Sequence, residues 1–352
     1  MNFTRIEEPR STFKNTLYSL IFFMEALMRK FITSVVVLLL AVSGAFAAEM
    51  NMEKEKAKEK SAVVIAAFGT TYESTLDSLL KIEQDIRAAV GKDVPVRMAF
   101  TSNIIRKVWH ERQNDAAYKA EHKNVPAYLY EVKNVLGTMA DLQNDGYRNI
   151  VVQPTYLTSG EEFSDLKAYV DGLDSIKTLK DKWKPFNKLA TGNPITGNYD
   201  YHEELETFAK ALEKDVDLAA ASSSALVYMG HGNEHLSTGI YYELEKLLNK
   251  TYPKTKIYVG TVEGHPDLDE VVGKLKADKV KKITLKPLMI VAGDHANNDM
   301  AGDEEDSWKT VFVKAGIKVT PVLEGLGENP EVRRIIVDNM LKAAAEADIK
   351  LK

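Results

Sequence analysis

The stretch "LVYMGHGNEH" (226–235) is best read beside an earlier one, "VVIAAFGTTYE" (63–73). In both, an apolar run enters a glycine turn, at Gly232 in one and at Gly69 in the other. A short apolar run stopped by glycine reads as a buried strand. The same pairing recurs further along each copy. "QPTYLTSGEEFSDL" (153–166) matches "KPLMIVAGDHANND" (286–299), with Pro154 and Pro287 placed alike ahead of Gly160 and Gly293. Just past those glycines stand Glu162 in one copy and His295 in the other. The matches predict a duplicated lobe whose site residues have diverged.

Between these units short apolar runs alternate with longer amphipathic ones. Strands are expected at 61–69, 94–100, 148–154, 225–229, 256–262, 282–288 and 317–322. Helices are expected over 73–91 and 125–146, each closed by glycine. Strand–helix alternation predicts an α/β fold. Its two similar lobes would each be a parallel sheet flanked by helices, with a cleft between them at the strands' carboxyl ends. The N-terminal lobe is expected over 61–198 and the C-terminal lobe, carrying the metal site, over 199–352.

The start of the chain reads differently. Arg29 and Lys30 precede a short apolar core, Phe31 to Val42, and Ala45-Phe46-Ala47 has the form of a processing site. Residues 28–47 are therefore expected to be a cleaved signal peptide that sends the chain to the periplasm, without a permanent membrane anchor. Residues 1–27 precede a complete signal with its own methionine, which fits a misplaced translation start. Residues 48–60 are a charged tether. The chain has no cysteine, so disulfides, thiolate chemistry and cysteine-held clusters are excluded, and any metal must be held by His, Asp, Glu or backbone. A net charge of −5 argues against nucleic acid as a partner.

Three successive strands of the second copy end in metal-ligating residues: His231, Glu263 and His295. Neighbouring parallel strands bring such ends together, and two imidazoles with a carboxylate suit Co, Ni, Fe or Zn. His231-Gly-Asn-Glu234-His235 also fits H-x-x-E-H, an inverted zinc-peptidase motif. That motif needs a helix through His231, and the β-rich run before it argues against one. Thr70, Thr71 and Glu162 are expected to line the same cleft from the first lobe. His110, His122 and His202 sit in helical or polar surroundings, His265 precedes Pro266, and 298–308 is an acidic cluster suited to a solvated helix start or to attracting cations. There is no G-x-G-x-x-G and no Walker pattern.

Taken together, "AAFGTTYE", "MGHGNEH", "VGTVEGHP" and "LKPLMIVAGDHANNDMAGDEEDSW" resemble the anaerobic cobalt chelatases of the CbiK type, in the class II chelatase superfamily, over about 61–345. The exported form is similar to periplasmic members. The resemblance implies ATP-independent insertion of Co2+ into sirohydrochlorin, with His231, Glu263 and His295 holding the metal; the same donors admit Fe2+ or Ni2+. It implies cations at the cleft rim for the substrate's carboxylates, with Arg106, Lys107 and Lys286 as candidates. It admits a homo-oligomer. Some periplasmic members bind haem through a first-lobe histidine; no histidine lies in 165–180, which argues against haem here. The competing function is an exported carrier of metal or tetrapyrrole derived from a chelatase.

Overall fold

A computed structural model describes residues 60–199, 201–234 and 239–352, with Met24, Leu27, Met28 and Val42. The expected signal, tether and upstream segment, and His235, lie essentially outside these residues. Among the described residues no helix is long and apolar enough to cross a membrane.

The first sheet contains β1 (Ser61–Ala67), β2 (Val96–Phe100), β3 (Asn149–Pro154) and β4 (Lys188–Thr191) in the order β2-β1-β3-β4. The second contains β5 (Ala225–Gly232), β6 (Ile257–Glu263), β7 (Lys282–Leu288) and β8 (Lys318–Pro321) in the order β6-β5-β7-β8. All pairings are parallel, and the two orders are the same order. The register repeats as well. Ala66 faces Pro154 and Met229 faces Pro287, and each of these stands at the same offset before Gly69 or Gly232. The predicted α/β architecture of two like lobes is thus the observed one.

Helices fill the connections: α1 (Leu76–Ala89), α2 (Asn103–Gln113), α3 (Ala116–Glu121), α4 (Val135–Asn144) and α5 (Glu161–Asp174) in the first lobe. Beyond it lie α6 (His202–Ala211), α7 (Glu213–Ala221), α8 (Ile240–Thr251), α9 (Leu268–Ala277), α10 (Trp308–Lys314) and α11 (Pro330–Glu346). The helix expected over 125–146 is shorter than its pattern. Residues 127–131 form only a 3-10 turn, and α4 starts at Val135. The break has a cause: the Phe100 amide of β2 donates to the Lys133 carbonyl, so this backbone serves the sheet edge, and the Asn134 side chain caps the new helix at Gly137 N.

Strand alternation divides the core. Val63, Ile65, Leu226 and Tyr228 point into a core shared by both lobes, whereas Ala62, Val64 and Ala66 face a cluster on the first lobe, and Ala225, Val227 and Met229 one on the second. The last helix returns to the first sheet. α11 packs on β3, β4 and α1, and places Val332, Ile336 and Met340 in the shared core. Arg333 pairs with Asp85 of α1 at 2.6 Å. Across the cleft, Tyr72 donates to Asp294 at 3.0 Å and the Glu161 amide to the Asn233 side chain at 3.3 Å.

Candidate metal centre and cleft

β5 continues three residues past the end of its expected run at Met229, so His231 lies in the strand itself rather than in a turn after it. Gly232 makes this continuation possible. It has φ +87°, pairs with Glu263 of β6, and a Cβ there would meet the Glu263 carbonyl oxygen at 1.7 Å. The extended backbone also excludes the helix that H-x-x-E-H requires at His231, and α8 starts only at Ile240. His295 stands at the head of a π-helical turn, Ala296–Met300, that follows the loop after β7.

The two imidazoles meet edge to face, with centroids 5.0 Å apart and an interplanar angle of 79°. Both have one nitrogen occupied. His295 Nδ1 lies 2.5 Å from Asp299 Oδ2, one helical turn on. His231 Nδ1 lies 3.2 Å from the Gly232 carbonyl oxygen and 3.8 Å from Glu263 Oε2. Acceptors on Nδ1 place the proton there and leave each Nε2 with its lone pair free, the state in which imidazole binds a metal or takes a proton. Glu263 is the last residue of β6, hydrogen-bonded in register beside Gly232. The donor set is open: three side chains, with His231 Nδ1 3.8 Å from Glu263 Oε2 and the imidazole centroids 5.0 Å apart, leave positions for water or substrate.

His231 and His295 sit in the wall of a cleft of about 530 Å³ between the lobes. Thr70, Thr71 and Glu162 line it from the first lobe, with Phe68, Ile104 and Tyr156 supplying apolar surface. Leu288, Met289 and Ile290 supply apolar surface from the second. Thr70 is buried, and its hydroxyl is shared with Thr75 at 2.8 Å. Tyr241 closes the cleft floor. Burial pushes its pKa up to about 12, and its neutral hydroxyl accepts from the Gly232 amide at 3.2 Å.

Among the described residues no lysine or arginine lines the cleft wall, and Lys286, expected there, is not part of it. Lys286 lies under the sheet: its register partner is Tyr228, and its ammonium donates to Asp215 at 2.6 Å and to Glu324 at 3.3 Å, with only 3% of the side chain exposed. Strand alternation turned it into the shared core. Lys107 and Arg106 flank a neighbouring surface hollow. Arg106 also reaches a side groove of about 260 Å³ that shares Phe68, Ser102, Tyr156 and Glu162 with the cleft. Its guanidinium donates to the Phe100 and Thr101 carbonyls at 2.6 and 3.0 Å. The role of Asp299 as the partner of His295 was hidden in an acidic run, although its spacing of four residues on a helical turn is the visible signal.

Comparison with known proteins agrees with this architecture. The family model described as cobalt chelatase (CbiK) matches residues 61–345. A sirohydrochlorin cobaltochelatase of Salmonella typhimurium is 32% identical over 286 residues, covering 81% of this chain and 96% of the relative. The sirohydrochlorin cobaltochelatase CbiKC of Nitratidesulfovibrio vulgaris is 28% identical over 289 residues, covering 82% and 92%. This chain, with its duplicated lobes and its histidine pair at the cleft, belongs to the CbiK family of cobalt chelatases.

Proposed function

We propose that this chelatase inserts Co2+ into sirohydrochlorin without ATP, and that His231, Glu263 and His295 hold the metal substrate as it is transferred. The observation that carries the reading is the facing pair of part-exposed imidazoles, each with Nδ1 occupied, at the wall of an apolar cleft between the lobes. Insertion removes two pyrrole N–H protons and strips water from the ion. A neutral imidazole, with an ordinary pKa of about 6.5, can serve both as ligand and as proton acceptor. Glu263 supplies negative charge and a proton relay beside His231. An open donor set suits an ion that must leave, because a closed cage would compete with the four pyrrole nitrogens. The apolar walls would hold the faces of the macrocycle, while its carboxylates stay toward the solvent at the cleft mouth. Borderline N/O donors also accept Fe2+ and Ni2+.

The test is insertion by purified protein, followed by the absorbance change of sirohydrochlorin with Co2+, Fe2+ or Ni2+. Catalytic turnover with Co2+ is expected. Stoichiometric binding without turnover would mean a carrier instead, and wild-type rates in both His231→Ala and His295→Ala would overturn the ligand roles. Export to the periplasm rests on Arg29-Lys30, the apolar core and Ala45-Phe46-Ala47. Mature protein beginning just after Ala47, read by N-terminal sequencing of the periplasmic fraction, is the expected result.

A further inference from the structure

A second set of metal-ligating side chains lies just past Glu263. One donor atom from each of His265, Asp267 and Glu270 falls within 4.8 Å of the others. Asp267 is the N-cap of α9, and one of its oxygens accepts from the Glu270 amide at 2.9 Å. Its other oxygen lies 3.7 Å from His265 Nδ1, and Glu270 Oε2 lies 3.9 Å from the same nitrogen. Helix capping accounts for the first oxygen of Asp267. It does not account for an imidazole turned toward both carboxylates. Tyr242 steadies Glu270 by donating to its carboxylate at 2.8 and 3.1 Å. The nearby cation, Lys274, is taken by Glu245 at 2.8 Å. Ligands of one divalent ion sit about 3–3.5 Å apart, as metal–ligand distances near 2.1 Å require. The distances of 3.7 and 3.9 Å from His265 Nδ1 are a few tenths of an ångström wider, and His265 is exposed.

A separate feature connects the set to the cleft. A pocket of about 440 Å³ is lined by Asp267, Asp269, Asp299, Glu304 and Asp306 and by no lysine or arginine. Asp267 belongs to the new set, and Asp299 holds His295. A hollow whose charged lining groups are all carboxylates concentrates cations. The cleft beside His295 is lined mostly by apolar side chains, with Glu162 and Asp294 among them.

We propose that His265, Asp267 and Glu270 form a second site for a first-row divalent transition-metal ion, and that the acidic pocket passes the ion from this site toward His295. One imidazole and two carboxylates, with water completing the shell, suit Co2+, Ni2+ or Zn2+ over Ca2+, which takes oxygen ligands alone. The loading role rests on the chelatase reading; the site itself does not.

Titration with Co2+ alone separates the two. In the double variant His231→Ala/His295→Ala, one equivalent of Co2+ is expected to remain bound by calorimetry. Adding His265→Ala, or separately Glu270→Gln, which keeps an oxygen for Tyr242, should weaken that binding by at least about tenfold, the loss that removal of even an outer partner of a metal site produces. In the otherwise wild-type chain, His265→Ala should raise the KM for Co2+ about fivefold and leave kcat at saturating Co2+ and the KM for sirohydrochlorin unchanged. No Co2+ bound by the double variant, or binding indifferent to both further substitutions, overturns the site. Loss of binding with an unmoved KM for Co2+ overturns the loading route. A wild-type protein without insertion activity would defeat the chelatase reading, and the binding titrations would still decide the site.

Discussion

The two lobes share a backbone plan and differ in what it displays. The strand registers make His231, Glu263 and His295 of the second lobe equivalent to Phe68, Ser102 and Glu162 of the first. His231 and Phe68 each precede a positive-φ glycine, with φ +87° at Gly232 and +102° at Gly69. One lobe therefore offers two imidazoles and a carboxylate. The other offers an aromatic ring, a helix-capping hydroxyl and a carboxylate, and Phe68 and Glu162 face the histidines from the opposite wall. Duplication supplies two equivalent positions at the cleft, and chemistry needs only one of them to hold the ion. The free copy can become a wall for the macrocycle. A buried pair of positions shows the same divergence: Lys286 and Gln153 are equivalent, each one residue before its proline, one held by Asp215 and Glu324 and the other by the Pro154 and Asn193 carbonyls.

The largest test of this asymmetry is catalytic. His295→Ala should lower kcat/KM for Co2+ insertion by about a thousandfold, the scale of losing a group that works at the reacting centre. Glu162→Gln, at the equivalent position, should cost less than about tenfold, and equal losses would mean that both lobes take part in the chemistry. The buried pair comes next. Lys286→Met leaves Asp215 buried with the Tyr228 hydroxyl as its remaining partner, at 2.9 Å, and should cost about 3 kcal/mol in chemical denaturation. Gln153→Met removes an amide whose Oε1 has no partner, and should cost about 1 kcal/mol. If Gln153→Met costs as much as Lys286→Met, the charge is not what distinguishes the lobes.

Gly232→Ala should destabilise by about 2 kcal/mol or more, because its Cβ would strike backbone, the Glu263 carbonyl. Gly69→Ala should cost about half as much, because its Cβ would meet the Phe100 ring at 2.8 Å, and a side chain can shift. The smallest effect is expected where the lobes touch. Tyr72→Phe removes the hydrogen bond to Asp294 across the cleft and should cost about 1 kcal/mol or less, read as a slight fall in melting temperature.

Much of this molecule was legible in advance, because buried parallel strands write themselves as continuous apolar runs. β1, "SAVVIAA", is buried throughout, and seven of the strand positions could be expected from such runs or, for β8, from the alternation Ile317-Lys318-Val319-Thr320. β4, "KLAT", could not, because it is neither an apolar run nor an alternation. Local periodicity also misjudged 132–134, where pairing to β2 overrides a helical pattern. The residue types able to hold a divalent ion were visible at the ends of two strands, and at the head of the helical turn that follows a third.

The sequence by itself determined the duplication, the α/β class and the identity of those donor residues, since each depends on neighbours along the chain. Tertiary structure alone decided which side chains face the cleft. Lys286 and Leu288, two residues apart, share one face of β7, and only the place of Leu288 at the strand's carboxyl end brings it to the cleft wall. It also decided that no lysine or arginine lines the cleft wall among the described residues, and that the last helix closes back over the first sheet. Those facts depend on distances between residues far apart in the chain, and a linear pattern does not contain them.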